Sequence, residues 1–421
     1  MGVSQSPSDP SVAAALAGLD ADLGELTGLY QDLHAHPELS FAEHRTAAEI
    51  VRRAEAYGYD VTPGVGRTGV VAVLDNGEGP TVLLRADCDA LPVVERTGLS
   101  YASRTDGVMH ACGHDLHVTC LLGALKLLAD ARDSWRGRIV AVFQPAEEAG
   151  QGAQAMVDDG LFERFGTPDV VLGQHVAPFP ADMVACHAGA AFAATDSLKI
   201  VMYGKGAHGS RPETSVDPVV MAAATVMRLQ TVVSREVPAG ETAVLTVGSL
   251  RAGTVGNIIP DEAELGLNIR TYTEDVRARI LAAIERIVRG EAQVAGAERE
   301  PEITALDAFP VVVNEEAAVA RTMAAIGTVL GDGKVIDPGP VTGSEDVGIL
   351  GTAAKAPLCY WLFGGCDPET YAAAAAAGTL HRDIPSNHSP RFAPVAEPAI
   401  TTGVTAMTAA ALEWLGGGEA E

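Results

Sequence analysis

The chain has 421 residues, 47% hydrophobic and 20% charged, with 55 acidic against 29 basic side chains and a formal net charge of −26. That length and apolar content suit two or three domains with sizeable cores, and so acidic a protein is repelled by phosphate backbones, which argues against nucleic acid as a partner. Six scattered cysteines (Cys88, Cys112, Cys120, Cys186, Cys359 and Cys366) make no disulfide framework, and no apolar run reaches the roughly 18 residues of a membrane span, so reduced thiols, no membrane and a cytoplasmic home are expected.

In chain order, residues 1–10 read as a flexible tail. From Ala13 to about Tyr57, apolar residues recur at helical spacing with a break near Pro37. Val70–Leu74 and Val82–Ala86 are β-rich runs separated by the turn Asn76–Pro80. A helix over Val118–Ala131, a buried strand at Arg138–Phe143 and another at Val170–Leu172 continue an α/β alternation with a largely parallel sheet. The texture then changes. Strands at Leu198–Tyr203, Thr242–Leu250, Ala263–Thr271 and near Glu302–Ala305 surround helices Pro218–Val233 and Glu274–Arg289, the pattern of a small inserted α+β sandwich. The α/β pattern resumes with a helix at Glu315–Leu330, a strand at Leu358–Phe363 and a last helix from about Pro398 to Leu415. The expected domains are therefore 11–190 with 307–415 and an insertion at 191–306, with 416–421 a second flexible tail. Ala372–Gly378 is alanine-rich but too short for a repeat.

Two stretches match G-x-G-x-x-G, at Gly64, Gly66, Gly69 and at Gly204, Gly206, Gly209. A dinucleotide site needs a strand before the glycines and a helix after them. The first match leads into the strand Val70–Leu74 and the second into Ser-Arg-Pro, so both fail. No nucleophile elbow and no H-E-x-x-H helix is present.

The densest chemistry is His110-Ala-Cys-Gly-His-Asp-Leu-His117. Singly, a cysteine or histidine there is an ordinary core residue, but several beside a helix start point to metal. Gln144-Pro-Ala-Glu-Glu148 directly follows a buried strand, where open α/β sheets place ligands. Gly173-Gln-His175 again follows an apolar strand, and Ser386-Asn-His-Ser-Pro390 carries His388. One cysteine, several histidines and glutamate suffice for two divalent ions. Mixed sulfur, nitrogen and oxygen donors suit zinc best, with manganese or cobalt as alternatives.

Leu84-Arg-Ala-Asp-Cys-Asp-Ala-Leu-Pro92, His110–His117, Gln144–Glu148 and Asn387-His-Ser-Pro390 together resemble the signature blocks of the M20 metallopeptidase family, nearest its aminoacylase-like branch of hippurate and indole-acetyl-amino-acid hydrolases. The resemblance spans about His34 to Phe392. It implies a zinc-peptidase-like α/β catalytic domain with a mostly parallel sheet, and an inserted ferredoxin-like lid or dimerisation domain. It implies Cys112, His114, Glu148, His175 and His388 as ligands of two metal ions, Glu147 as general base, and Asp87 or Asp89 as the acidic residue behind the ligands. In the insertion, it implies His208 as a contact to the substrate carbonyl oxygen, supplied by its own chain or by the partner of a homodimer. Asn257, and more weakly Arg270, match contacts to the substrate carboxylate. The implied activity is hydrolysis of a small N-acyl amino acid, with a dipeptidase, a carboxypeptidase or an N-carbamoyl-amino-acid amidohydrolase as the alternative. Two departures stand out: Val347 ends a Gly343-Ser-Glu-Asp block where the family usually has Phe, and Tyr371–His381 is extra length.

Overall fold

Apolar β-branched runs set the centre of the larger sheet. The strands Thr81–Asp87, Arg138–Gln144, Val170–Pro180 and Leu358–Cys366 are buried over most of their length, as strands covered on both faces must be. The computed structural model describes residues 10–415. Of the tails expected at 1–10 and 416–421, residues 1–9 and 416–421 lie outside the described residues, while Pro10 belongs to a helix, Pro10–Leu16, and not to a tail.

The chain divides into two compact units. One runs to Ala191 and resumes at Val313–Gly339 and from Asp346; the other comprises Phe192–Val312 and Pro340–Glu345. The expected boundary after Leu306 falls inside the strand Glu302–Phe309, because Asp307, Ala308 and Phe309 go on pairing with Ser197, Asp196 and Thr195.

The first unit carries an eight-stranded sheet in the order Asp60–Val65, Gly69–Asp75, Arg138–Gln144, Thr81–Asp87, Val170–Pro180, Leu358–Cys366, Val184–Ala185, Val335–Ile336. Its four central strands are parallel, with antiparallel strands joined at either side. Asp87 pairs with Gln144, and Arg85 with Gly173, so the chemistry-bearing ends of three neighbouring strands come level. The third strand is much longer than Val170–Leu172. It pairs with Leu358–Cys366 past His175, so His175 lies within the strand rather than after it. Helix His114–Asp130 is buried on nearly every side and packs against helices Leu19–Ala35 and Ala396–Leu415. Helix Pro368–Ala377 was not expected from its alanines. Asp367 caps it by accepting from Thr370 N, Pro368 opens its first turn, and Gly378 ends it at φ 67°.

The second unit is a four-stranded antiparallel sheet in the order Ala243–Ala252, Glu262–Thr271, Ala194–Tyr203, Glu302–Phe309, with helices Pro218–Thr231 and Glu274–Ala295. Every second residue of Glu262–Thr271 is buried, and Leu265, Leu267 and Ile269 join Met221, Leu229, Ile280 and Ile284 in one core. The β-α-β-β-α-β order is ferredoxin-like. Among the described residues, no helix is long and apolar enough to cross a membrane.

Candidate metal centre and active site

Local backbone geometry presents the donors. Gly113 precedes helix His114–Asp130 at φ 86°, and a Cβ there would meet Val176 Cγ1 at 2.4 Å. Only glycine lets the chain place Cys112 beside that strand and His114 on the first helical turn. Two non-glycine residues at positive φ belong to the site as well, Ala146 at 48° and His388 at 67°. Such conformations persist only where the surroundings enforce them. Ala146 N donates to Glu43, His388 N donates to Ala111 O, and Asn387 Nδ2 donates to the carbonyls of Cys112 and Val176.

The donor atoms converge. Cys112 Sγ lies 3.4 Å from His175 Nε2, and His388 Nε2 lies 3.4 Å from Glu148 Oε1. His114 Nε2 is 3.9 Å from both Glu147 Oε2 and Glu148 Oε1. Cys112, Glu148 and His388 form one group with all donor atoms within 4.8 Å; His114, Glu147 and Glu148 form another, and Asp87, His114, His117 and His175 a third. Ligands ~2.0–2.3 Å from a tetrahedral ion stand roughly 3.3–3.7 Å apart, so the spacing suits ions shared between these groups. The bonding ledger agrees: His114 Nε2 and Glu148 Oε1 are buried without a hydrogen-bond partner. Groups so placed are costly to bury unless something cationic satisfies them.

The supports explain which atoms stay open. Asp89 Oδ1 accepts from His114 Nδ1 at 3.3 Å and from Glu147 N at 3.1 Å, while its Oδ2 accepts from Ser40 Oγ and Glu148 N. That fixes the His114 proton on Nδ1 and turns Nε2 to the centre. His175 Nδ1 donates to Val176 O, which turns its Nε2 toward Cys112 Sγ. His117 differs. Its Nδ1 donates to Asp87 Oδ1 at 2.5 Å and its Nε2 accepts from Val176 N at 2.8 Å, which uses both nitrogens. Burial lowers the pKa values of His117 and His175, keeping neutral rings. Burial alone would also lower His114, yet the Asp87 carboxylate raises it well above the ordinary value. The neighbouring Cys112 thiol and Glu148 carboxylate push His388 up to about 10. The field that favours protons there is one that a divalent cation would fill.

Residues 83–386 match the family described as Peptidase family M20/M25/M40. The chain belongs to that family. It is similar to N-acetyl-L-cysteine deacetylase of Bacillus subtilis, 38% identical over 331 residues that cover 76% of each chain. It is also similar to hippurate hydrolase of Campylobacter jejuni, 39% identical over 330 residues, 78% of this chain and 85% of the relative. A crystal structure from Bacillus subtilis, described as a dinuclear metal-binding peptidase of family M20, matches with a TM-score of 0.75 at 28% identity, covering 94% of this chain and 99% of that one. The resemblance carried by the sequence blocks is borne out, and this M20 chain is a metal-dependent hydrolase of amide bonds.

The structure brings all five expected donors of this M20 enzyme together with Glu147, and separates the two aspartates: Asp89 binds backbone and imidazole N–H groups, whereas Asp87 holds His117 and stands 3.7 Å from His114 Nε2. In the ferredoxin-like unit, Ala207–His208 pairs with Ile258–Ile259. His208 is exposed, and its Nδ1 accepts from Ser210 N, which leaves the proton on Nε2. Gly209 N donates to Asn257 O, so His208 and Asn257 are neighbours. Arg270 is placed elsewhere, donating to Thr342 O and Ser344 Oγ. Val347 is buried beside helix Gly348–Ala354. Sequence reading missed His117 as a support and Arg85 behind Asp87. The signal for His117 was its i, i+3 spacing from His114, which puts both on one helix face.

Proposed function

We propose that this M20 enzyme hydrolyses the amide bond of small N-acyl amino acids, using two divalent ions held by Cys112, His114, Glu148, His175 and His388. The observation that carries the reading is the pair of unpartnered buried atoms, His114 Nε2 and Glu148 Oε1, beside the Glu147 carboxylate. Mixed sulfur, nitrogen and oxygen donors favour zinc, with manganese or cobalt as substitutes. When bound, the ions supply Lewis acidity toward the amide carbonyl and toward water. Glu147 takes the proton of the attacking water and delivers it to the leaving amine. Its main chain is held by Asp89, which keeps the carboxylate aimed while protons move. His208, with its proton on Nε2, donates to the carbonyl oxygen as charge develops there. Asn257 binds the carboxylate of the amino-acid product, with Arg270 a weaker candidate.

A homodimer formed through the inserted unit accompanies this reading. Val219, Val220 and Met227 on helix Pro218–Thr231, and Val244 and Leu250 on the outermost strand Ala243–Ala252, are exposed apolar groups that a second copy would cover. All six cysteines are free, which suits the reducing cytoplasm. The test is metal-stripped protein reloaded with zinc, manganese or cobalt and offered N-acetyl, N-benzoyl and N-indoleacetyl amino acids beside dipeptides and N-carbamoyl amino acids. Turnover of the acylated substrates is expected. Turnover confined to dipeptides or carbamoyl compounds would replace the proposal.

A further inference from the structure

Behind the centre lies a guanidinium with no exposed surface, that of Arg85. Its Nη1 donates to Asp87 Oδ2 at 2.7 Å and to Tyr360 Oη at 3.3 Å. Its Nε donates to Gln144 Oε1 at 2.9 Å, and its Nη2 to Asp346 Oδ1 at 3.2 Å. Gln144 Nε2 donates to the same Asp346 oxygen at 2.6 Å, and Asp346 Oδ2 accepts from Ala153 N. Tyr360 reaches Arg85 across an intervening strand only because Gly173 stands between them. Gly173 pairs with Arg85 on one side and Tyr360 on the other, and a Cβ on it would meet the Tyr360 ring at 2.9 Å.

Buried ion pairs are weak sources of stability, since apolar replacements of similar size do as well or better. What this one holds is more specific. Asp87 carries His117, His117 accepts the Val176 N–H next to His175, and Gln144 begins the block that ends in Glu148. We propose that Arg85, anchored by Asp346, is a positioning residue of the metal centre. It holds the ends of strands Thr81–Asp87 and Arg138–Gln144 in register so that His114, His175 and Glu148 meet at ion-binding distance. It acts through Asp87, His117 and Gln144. The inference rests on the two-ion reading above.

The test compares wild type with Arg85→Lys, which keeps the charge but loses the fork, with Asp346→Asn, and with the double variant. Zinc stoichiometry and dissociation constants are measured by chelator competition, and thermal unfolding is followed on the metal-free proteins. Each single variant should weaken zinc binding roughly ten- to a hundredfold, beyond any loss that tracks unfolding temperature. The double variant should fall short of the product of the two, because both act through one chain of contacts. Should Arg85→Lys fail to fold, Asp346→Asn alone decides by the same affinity criterion. Wild type that binds two zinc ions while the folded variants bind equally tightly overturns the inference and leaves the two-ion reading standing. Wild type that binds none sinks both.

Discussion

Replacing Asp89 by Asn changes one oxygen into an NH2 group and little else, and the consequence can be worked out bond by bond. Its carboxylate accepts from four donors: His114 Nδ1, Ser40 Oγ, and the main-chain N–H groups of Glu147 and Glu148. Ser40 can rotate its hydroxyl and become the acceptor. A main-chain N–H cannot, so one of Glu147 or Glu148 must face an NH2 group in either orientation of the amide. Keeping the oxygen toward His114 and Glu147 preserves the tautomer with Nε2 open, which makes Glu148 N the loser. A lost hydrogen bond to a charged acceptor costs about 1.5–3 kcal/mol. Expressed in the metal-bound state, that is roughly ten- to a hundredfold in dissociation constant, at ~1.4 kcal/mol per factor of ten. Chelator competition with zinc on Asp89→Asn protein measures it, with far-UV circular dichroism confirming the fold. An affinity within twofold of wild type would refute the claim that Asp89 sets the geometry of His114 and Glu148.

Four further outcomes are expected. Glu147→Gln should lower turnover by ~10²–10⁴ with metal content intact, while Glu148→Gln should lose metal first; elemental analysis showing the reverse swaps their roles. Cys112 should be alkylated quickly in metal-stripped protein and slowly after reloading, because the thiolate that binds a metal is also the reactive species; equal rates would remove it from the ligand set. Burial alone would lower the pKa of His34, but Asp115, 2.7 Å away, raises it from 6.5 to about 10. Its contribution to stability is therefore complete below about pH 6.5 and lost as pH rises toward 10. Denaturant titrations of metal-free protein should show that decline, and His34→Gln should flatten it; parallel pH slopes would exclude His34 as the cause. Finally, His208→Ala should reduce kcat by roughly two to three orders of magnitude with metal content unchanged. Partial recovery on mixing it with Glu147→Gln subunits would mean the histidine serves the partner's site; no recovery in a verified heterodimer would place it in its own.

The fold was legible where burial is uniform or strictly alternating. Val82–Leu84 and Ile139–Phe143 are apolar throughout because consecutive residues, and so both faces, are buried there. In Glu262–Thr271, Ala263, Leu265, Leu267 and Ile269 alternate with exposed or half-buried neighbours. Boundaries failed where polar residues are buried by one another. Helix His114–Asp130 begins four residues before the apolar run at Val118, since His114, Asp115 and His117 are paired with Asp89, His34 and Asp87. Polarity in sequence signals solvent only if the partners are unknown. The strand Val170–Pro180 is expected only to Leu172, because Gly173, Gln174 and His175 interrupt the apolar run, although Gln174 is buried with Gly403 O and Trp361 Nε1 as partners.

The site shows a second limit, that of neighbours in sequence. Two adjacent glutamates, or two aspartates two residues apart, have the same composition-level signature, and no spacing rule divides their labour. The division comes from bonds made across the sheet. Ala146 at φ 48° turns the chain so that the N–H groups of both Glu147 and Glu148 reach Asp89, which commits Asp89 to holding the main chain. Asp87, one strand pair from Gln144 and clamped by Arg85, is left to hold His117. His117 in turn looks like a ligand by spacing, stacked on His114 with ring centroids 5.3 Å apart. It is disqualified by arithmetic alone: an imidazole has two nitrogens, and both are already bonded.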